Sequence, residues 1–592
     1  MVADSTQSPH QLYAPTLPAK GLRHWLPGLN LFASYNRTCL MKDVGAGLVL
    51  TTVLVPVGMG YAHACGLPSV YGLYATIAAL VTYAIFGPSR ILILGPDSSL
   101  IAIIAATILP IAARGSDRAI LLAGMLAILS GLLCVVAGLA RFGFLTDLLS
   151  KPVRYGYLNA IALTLIVSQL PQVFGFQIDE HAFVQQSLAL AHGIMEQKTN
   201  WSSFAIGSTC LIAILAIKRW QPKIPAVLIV VLVATVVAAF FDLSHTCNVQ
   251  VVGPLPHGLP AFRLPIVSLA DIQAIIGGAI VIALVSFADM SVVSRTFAMR
   301  GRYVVDDNQE IIALGAANIV SGLFQGFSVS SSMSRTPVAE AAGARTQLTG
   351  IIGAVCVGLL LILAPDLLHN VPLAALAAVV ISACFSLVEV KNVVRLYKLR
   401  RAEFVACLVC FFVVTLIGVV QGILIAVALS LLAFIWRAWR PHSAVLGRVD
   451  RLKGYHDISR HPEARQIPGL ILFRWDAPLF FANARVFEEA VMKAIGSAQP
   501  PVKAVVVAAE PVTDIDSTAA DTLCDLVENL RRSHIELCFA ELKGPVKDQL
   551  KCYGIFERIG VDHFYPTIGK AIDWYIDEHQ IEWHDWDELQ AK

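Results

Sequence analysis

Residues 326–335 read GFSVSSSMSR, with hydroxyls at Ser328, Ser330, Ser331, Ser332 and Ser334 and a closing Arg335. Apolar runs flank the stretch at 311–323 and 348–363. A Ser-rich, Gly-containing break followed by Arg is costly in hydrocarbon, where irregular backbone is tolerated only if it is buried in protein or lines a cavity. The stretch therefore reads as a broken membrane helix whose second half starts near Ser331 or Ser332. The free N–H groups of such an end carry positive partial charge and attract anions, and Arg335 adds a permanent cation. The alternative is a re-entrant or packing segment in which Ser and Gly allow close helix approach.

The rest of the chain fits a membrane setting. Its 592 residues are 56% hydrophobic and only 15% charged, with mean hydropathy +0.68. Fourteen apolar segments follow one another. Seven lie at 45–62, 70–86, 96–112, 119–139, 155–173, 203–217 and 225–241. Seven more lie at 270–290, 311–323, 332–342, 348–363, 373–387, 404–420 and 423–436. Runs of about twenty apolar residues read as spans in contact with lipid. Alternate loops differ in charge. One side holds only Arg114, Arg118, Lys198 and Arg263. The other holds the remaining loop cations, among them Arg141, Lys151, Arg154, Lys223, Arg302 and the cluster at 391–401. That asymmetry predicts that the richer side, with both termini, is cytoplasmic, and hence a multi-pass protein of the plasma membrane. The net charge of +2 gives no basis for nucleic-acid binding. The twelve Cys are scattered, mostly in apolar runs, and read as small core residues. Walker, His–Glu and nucleophile-elbow motifs are lacking, so neither an enzyme nor a cofactor or metal is expected.

Residues 1–42 read as a cytoplasmic tail, with a short amphipathic element at 24–31, and 43–440 as the transmembrane domain. Charges return at 441, and strands at 469–473, 504–507 and 536–540 alternate with helices at 482–495 and 518–533. This pattern predicts a small cytoplasmic α/β domain over 441–575, followed by a charged tail at 576–592. Within it, DIDST (514–518) lies at a strand-to-helix junction. Ser517 or Thr518 is either an N-cap or a phosphate-accepting, regulatory group.

The first half has a counterpart to the opening stretch in ILGPDSSL, residues 93–100. Gly95 and Pro96 break the backbone, and Asp97, Ser98 and Ser99 are polar at membrane depth. Two interrupted spans, each third in a set of seven, suggest an inverted repeat with a binding site at the midplane. Asp97 either caps its half-helix or faces the cavity. Asp289, in LVSFADMSV (284–292), has no Lys or Arg four positions away. An intramembrane carboxylate is functional by default, and proton or cation coupling is its natural use. Tyr61, in LVPVGMGYA (54–62), offers a ring and a hydroxyl to a ligand.

These motifs, with GLPSVYGLYA (66–75), FGPSRILILGPDSS (86–99), VSSSMSRTPVAEAAGARTQLTG (329–350) and DIDSTAADTL (514–523), resemble the SulP family of anion transporters. That family is related to the animal sulfate, chloride and bicarbonate exchangers and to prestin. The C-terminal domain is similar to STAS. The resemblance implies an α-helical membrane fold of seven plus seven inverted spans and a core domain that moves against a gate domain. It also implies a homodimer and an anion site between the first, third, eighth and tenth spans. It matches Tyr61, Ser334 and Arg335 to the anion site and Asp289 to a coupling carboxylate, and the two polar breaks add Asp97, Ser98, Ser332 and Met333 as substrate contacts and Asp97 as a second coupling candidate. Three positions depart from family patterns: Pro56 is followed by Val57 instead of Gln, Asp97 stands where prestin-like members are apolar, and Val293, four residues after Asp289, replaces the hydroxyl of a sodium-coupled bicarbonate branch and cannot ligate sodium. The expected activity is secondary anion transport, with sulfate first and bicarbonate or a dicarboxylate next, coupled to protons sooner than to sodium. A membrane-anchored sensor acting through a cytoplasmic partner of the STAS-like domain is the rival reading.

Overall fold

A computed structural model describes residues 26–28, 37–143, 150–178, 180, 182–221, 224–256, 258–301 and 303–583. The element expected at 24–31 lies outside these except at 26–28, as do Lys223, Arg302 and the end of the charged tail from 584. The chain divides into two compact units, Met1–Ser430 and Leu431–Lys592.

In the first unit, α1 (Arg37–Ala64) and α2 (Val70–Phe86) lead into a two-residue strand, β1 (Leu94–Gly95). Next come α3 (Ser98–Ile108), α4 (Asp117–Leu139), α5 (Lys151–Phe174), α6 (Phe183–Met195), α7 (Trp201–Trp220), α8 (Ala226–Phe240) and the short α9 (Leu243–Thr246). The second half holds α10 (Leu269–Gly301), α11 (Asp307–Leu323), β2 (Ser330–Ser331), α12 (Arg335–Ala341) and α13 (Leu348–Leu363). It continues with α14 (Leu373–Cys384), α15 (Val390–Leu399), α16 (Arg401–Leu416) and α17 (Val419–Trp439), which runs past the unit boundary. Each of the fourteen apolar segments carries a helix; α6, α9 and α15 are additional. Six helices among the described residues are long and apolar enough to cross a membrane. They are α1, from Cys39, with α4, α5, α7, α10 and α17, and five more apolar helices are shorter.

The helices of the first unit pack in two groups. In one, α11 lies along α4 and α2, α13 along α1 and α2, and α10 along α4 and α3. In the other, α5 lies along α16, α14 and α7, and α7 along α14 and α8. Lipid supplies no hydrophobic drive between helices, so tight association depends on small residues. The α4–α11 contact uses them: a Cβ on Gly131 would stand 2.6 Å from the Gly315 carbonyl oxygen, and one on Gly322 would stand 2.3 Å from that of Gly124. Both obstacles are backbone, so no rotamer change relieves them. Gly131→Leu is expected to separate the two helices and lower folded yield several-fold, read by size-exclusion chromatography in detergent. An unchanged monodisperse yield contradicts this packing.

In the second unit, six strands run in the order β4–β3–β5–β6–β7–β8. These are β3 (Ser443–Arg448), β4 (Tyr455–Asp457), β5 (Leu470–Trp475), β6 (Ala504–Ala508), β7 (Glu536–Ala540) and β8 (Phe564–Tyr565). Pairing is parallel from β5 to β8 and antiparallel around β3. Side chains alternate faces along a strand, so β5 feeds two cores. Ile471, Phe473 and Trp475 join Phe487 of α18 (Ala484–Gly496) and Leu523 and Leu526 of α19 (Ser517–Arg532). The α20 (Gly544–Cys552) and α21 (Ile555–Ile559) helices complete that layer through Val546, Leu550 and Ile555. Leu470 and Leu472 face Ala571, Ile572 and Tyr575 of α22 (Ile568–His579) instead. The α/β layer predicted from the sequence is thus present.

Candidate functional site

The two chain breaks meet. β1 and β2 pair antiparallel, Leu94 opposite Ser331 and Gly95 opposite Ser330. The ladder extends by the Ser332 N–H donating to the Ile93 carbonyl (3.1 Å), and the Ile93 N–H donates to Thr336 Oγ1 (3.2 Å). From this junction α3 and α12 leave. The pairing corrects the expected start of the second half-helix. Ser331 and Ser332 are extended and spend backbone groups on the ladder, so α12 begins only at Arg335, with Ser334 at its N-cap position. The α11 helix holds the approach to β2. Asn318 Nδ2 donates to the Val329 carbonyl (3.0 Å), its Oδ1 accepts the Val329 N–H (2.9 Å), and Ser321 Oγ donates to the Phe327 carbonyl (2.7 Å).

The serines of the opening stretch divide by role. Ser328 lies 3.4 Å from Ser130 of α4, oxygen to oxygen. Ser332 Oγ accepts the Arg335 N–H (3.1 Å) and lies 3.2 Å from Ser334 Oγ. The buried hydroxyls of Ser330 and Ser331 have no protein partner. Arg335 is fully buried. Its Nη2 donates to the Pro96 carbonyl and lies 4.0 Å from an Asp97 oxygen, while Nε and Nη1 have no protein partner. The guanidinium rests over Gly95, where a Cβ would stand 2.8 Å from Nη1. Glycine at this position makes the room for it.

Asp97 takes the first of the roles read from its position, the helix cap. It is the N-cap of α3, accepting the Ser99 N–H (3.2 Å) and hydroxyl (3.0 Å) through Oδ1, and its other oxygen faces Arg335. Tyr61 is buried and faces Asp97, Ser98 and Arg335. Tyr61, Asp97, Ser98, Ser332 and Arg335 therefore converge in the interior. Met333 and Ser334 do not join them there: both are exposed, Met333 by 55%.

Asp289 lies beside Asp97 and Ser99, but it also has a partner that sequence reading missed. Arg154 Nη2 stands 3.1 Å from Asp289 Oδ1, with side-chain exposures of 15% and 6%. Arg154 is the fourth residue of α5 and not a loop cation; its Nη2 also lies 4.0 Å from the Met333 sulfur. A buried carboxylate that sequence reading also missed is Glu310, which accepts hydrogen bonds from Tyr83 Oη (2.6 Å) and Ser89 Oγ. It began just outside an apolar run, where a charge reads as a loop residue.

In the C-terminal unit the cap of α19 is Asp516, not Ser517 or Thr518. Its Oδ1 accepts the Ala519 N–H and its Oδ2 the Phe481 N–H, both at 2.8 Å. Ser517 and Thr518 are the first two helical residues and are exposed.

The family model described as the sulfate permease family matches residues 40–410, and that of the STAS domain matches 461–571. The chain belongs to the sulfate permease family. Among members of known name, it is 38% identical to a "Probable sulfate transporter" of Mycobacterium tuberculosis over 558 residues, 94% of this chain and 99% of that protein. It is 30% identical to "Sulfate transporter 4.1, chloroplastic" of Arabidopsis thaliana, covering 90% of this chain and 79% of that one. Its fold matches that of the murine Solute Carrier 26 family member A9 anion transporter with TM-score 0.87 at 22% identity, over 95% and 97% of the two chains. As a sulfate permease family member, the protein is an integral membrane protein of an anion-transporter family, with a helical transmembrane core and a C-terminal STAS domain.

Proposed function

We propose that the protein is a secondary active transporter that carries sulfate together with protons across the plasma membrane. The observation that supports it best is Arg335. A fully buried guanidinium whose Nε and Nη1 have no protein partner presents two donors of one planar fork to an oxyanion. Charge-assisted hydrogen bonds of this kind are the strong ones. Tyr61, Asp97, Ser98 and Ser332 form the wall around the anion, and the exposed Met333 and Ser334 form its approach. The names of the relatives favour sulfate over bicarbonate or a dicarboxylate.

In this reading fourteen spans form two inverted sets of seven, both termini are cytoplasmic, and the two packing groups are the bodies that move past each other. Asp289 and Asp97 carry the coupling protons. The Val293 side chain offers no oxygen to sodium. The molecule works as a homodimer, and its STAS domain is regulatory, with Ser517 and Thr518 open to a cytoplasmic partner. Purified protein in proteoliposomes is expected to take up labelled sulfate faster than bicarbonate or succinate. Preference for another anion moves the substrate assignment, and no flux of any anion leaves the membrane-anchored sensor as the reading.

A further inference from the structure

Arg154 and Asp289 belong to different packing groups. Asp289 is on α10, which packs with α3, α4, α11 and β2, and Arg154 is on α5, which packs with α6, α7, α14 and α16. Their ion pair bridges the two groups where α5 also meets α3, while α1 packs against α14 and α8 elsewhere along the boundary. An ionised carboxylate at membrane depth needs a counter-charge, because burial favours its neutral form and a nearby cation its charged form. If the two groups shift past each other, Asp289 leaves Arg154, and the Arg154 guanidinium does not travel with it.

We infer that Arg154 is the proton-release residue of the transport cycle: a fixed cation that meets Asp289 in this conformation and drives its proton off. The inference rests on the proton-coupled reading above. The step balances simply. The protonated Asp289 carboxyl gives its proton to water at the open face, and the resulting carboxylate pairs with Arg154. When α10 moves away, Asp289 loses its counter-charge and takes a proton from the opposite side. The other groups around the pair fit this sequence. Asp97 and Ser99 lie beside Asp289 at the start of α3. Tyr157, one turn along α5, is buried and lies beside both members of the pair. Glu389 and Tyr155 also lie near Arg154. Arg154 thus acts through Asp289 as a positioning residue, without being part of the anion cradle.

The test separates net uptake from exchange. Net proton-driven uptake needs Asp289 to lose its proton in every cycle, whereas exchange of sulfate for sulfate lets a loaded, protonated carrier shuttle. In proteoliposomes of full-length protein, Arg154→Gln is expected to lower proton-driven sulfate uptake by about tenfold or more while equilibrium exchange falls by less than about threefold. Arg154→Lys, which keeps the cation, is expected to recover much of the net uptake. A merely structural Arg154 makes both rates fall together, and that result, or an unchanged net uptake, overturns the inference. If Arg154→Gln does not fold, the double variant Arg154→Gln/Asp289→Asn removes both charges at once. It is expected to exchange sulfate without any response to a proton gradient, and a double variant still driven by protons overturns the assignment. A wild-type protein indifferent to the proton gradient overturns the proton-coupled reading itself, and is recognised before any variant is made.

Discussion

Arg335→Ala is expected to bring sulfate uptake to background. Hydrogen bonds to a charged group are each worth about 1.5–3 kcal/mol. Removing the fork that offers Nε and Nη1 to one anion therefore weakens binding by about a hundredfold or more. The same side chain also holds the chain breaks together, through the Pro96 carbonyl and the facing Asp97. Its loss takes the counter-charge from buried Asp97, so a lower folded yield accompanies the lost affinity. Arg335→Lys separates the two effects. Lysine keeps a positive charge near Asp97 but lacks the planar fork, and is expected to fold well and still bind sulfate poorly. Scintillation-proximity binding of labelled sulfate to protein of matched monodispersity measures this. Near-normal affinity in well-folded Arg335→Lys counts against Arg335 as an anion ligand and leaves it a bridge between β1 and β2.

Asp289→Asn carries the second large effect. Asparagine has the shape of the protonated carboxyl and cannot ionise, so the variant resembles a carrier locked in its proton-loaded form. Uptake driven by an imposed proton gradient is expected to fall to the level seen without a gradient, while sulfate–sulfate exchange continues. The substitution also leaves Arg154 without its partner. Removing one member of a buried pair costs about 3–5 kcal/mol, but Arg154 is 15% exposed and reaches the open face beside Met333. The cost is therefore expected at or below the low end of that range, read as a modest fall in melting temperature. Proton-driven uptake at the wild-type rate in Asp289→Asn excludes Asp289 as the coupling group.

Both predictions rest on residues that differ in how far the sequence discloses them. The breaks at Gly95–Pro96 and at the serine run were legible because polar, non-helical sequence inside apolar runs has few physical explanations. Their hydrogen-bonded pairing was not, since no local pattern in either stretch reveals which strand it will meet. The late start of α12 follows from that pairing: a ladder that engages Ser330 to Ser332 delays the helix. Arg154 escaped because its partner is 135 residues away and its position at the head of a span matches a cytoplasmic loop charge equally well. Met333 and Ser334 sit in the motif but outside the buried cluster, because the turn before α12 directs them outward. At the DIDST junction two carboxylates and two hydroxyls compete for one cap. Asp516 takes it, with extended backbone at φ −90° and ψ 171° that aims its carboxylate at the Ala519 N–H. The C-terminal unit was the easier part: period-two alternation and charged helix faces identify a layered α/β domain without any long-range information.

A dianion entering a negative-inside cell climbs the membrane potential at about 2.3 kcal/mol per charge per 100 mV, so net uptake needs co-moving positive charge or exchange for another anion. The measurement that tests the account most directly is therefore labelled-sulfate uptake by the wild-type protein in proteoliposomes, with an inward proton gradient imposed or omitted and sodium present or absent. The account predicts accumulation that appears with the proton gradient, is abolished by a protonophore and is indifferent to sodium. Accumulation that requires sodium and ignores the proton gradient, or anion exchange insensitive to both cations, contradicts it.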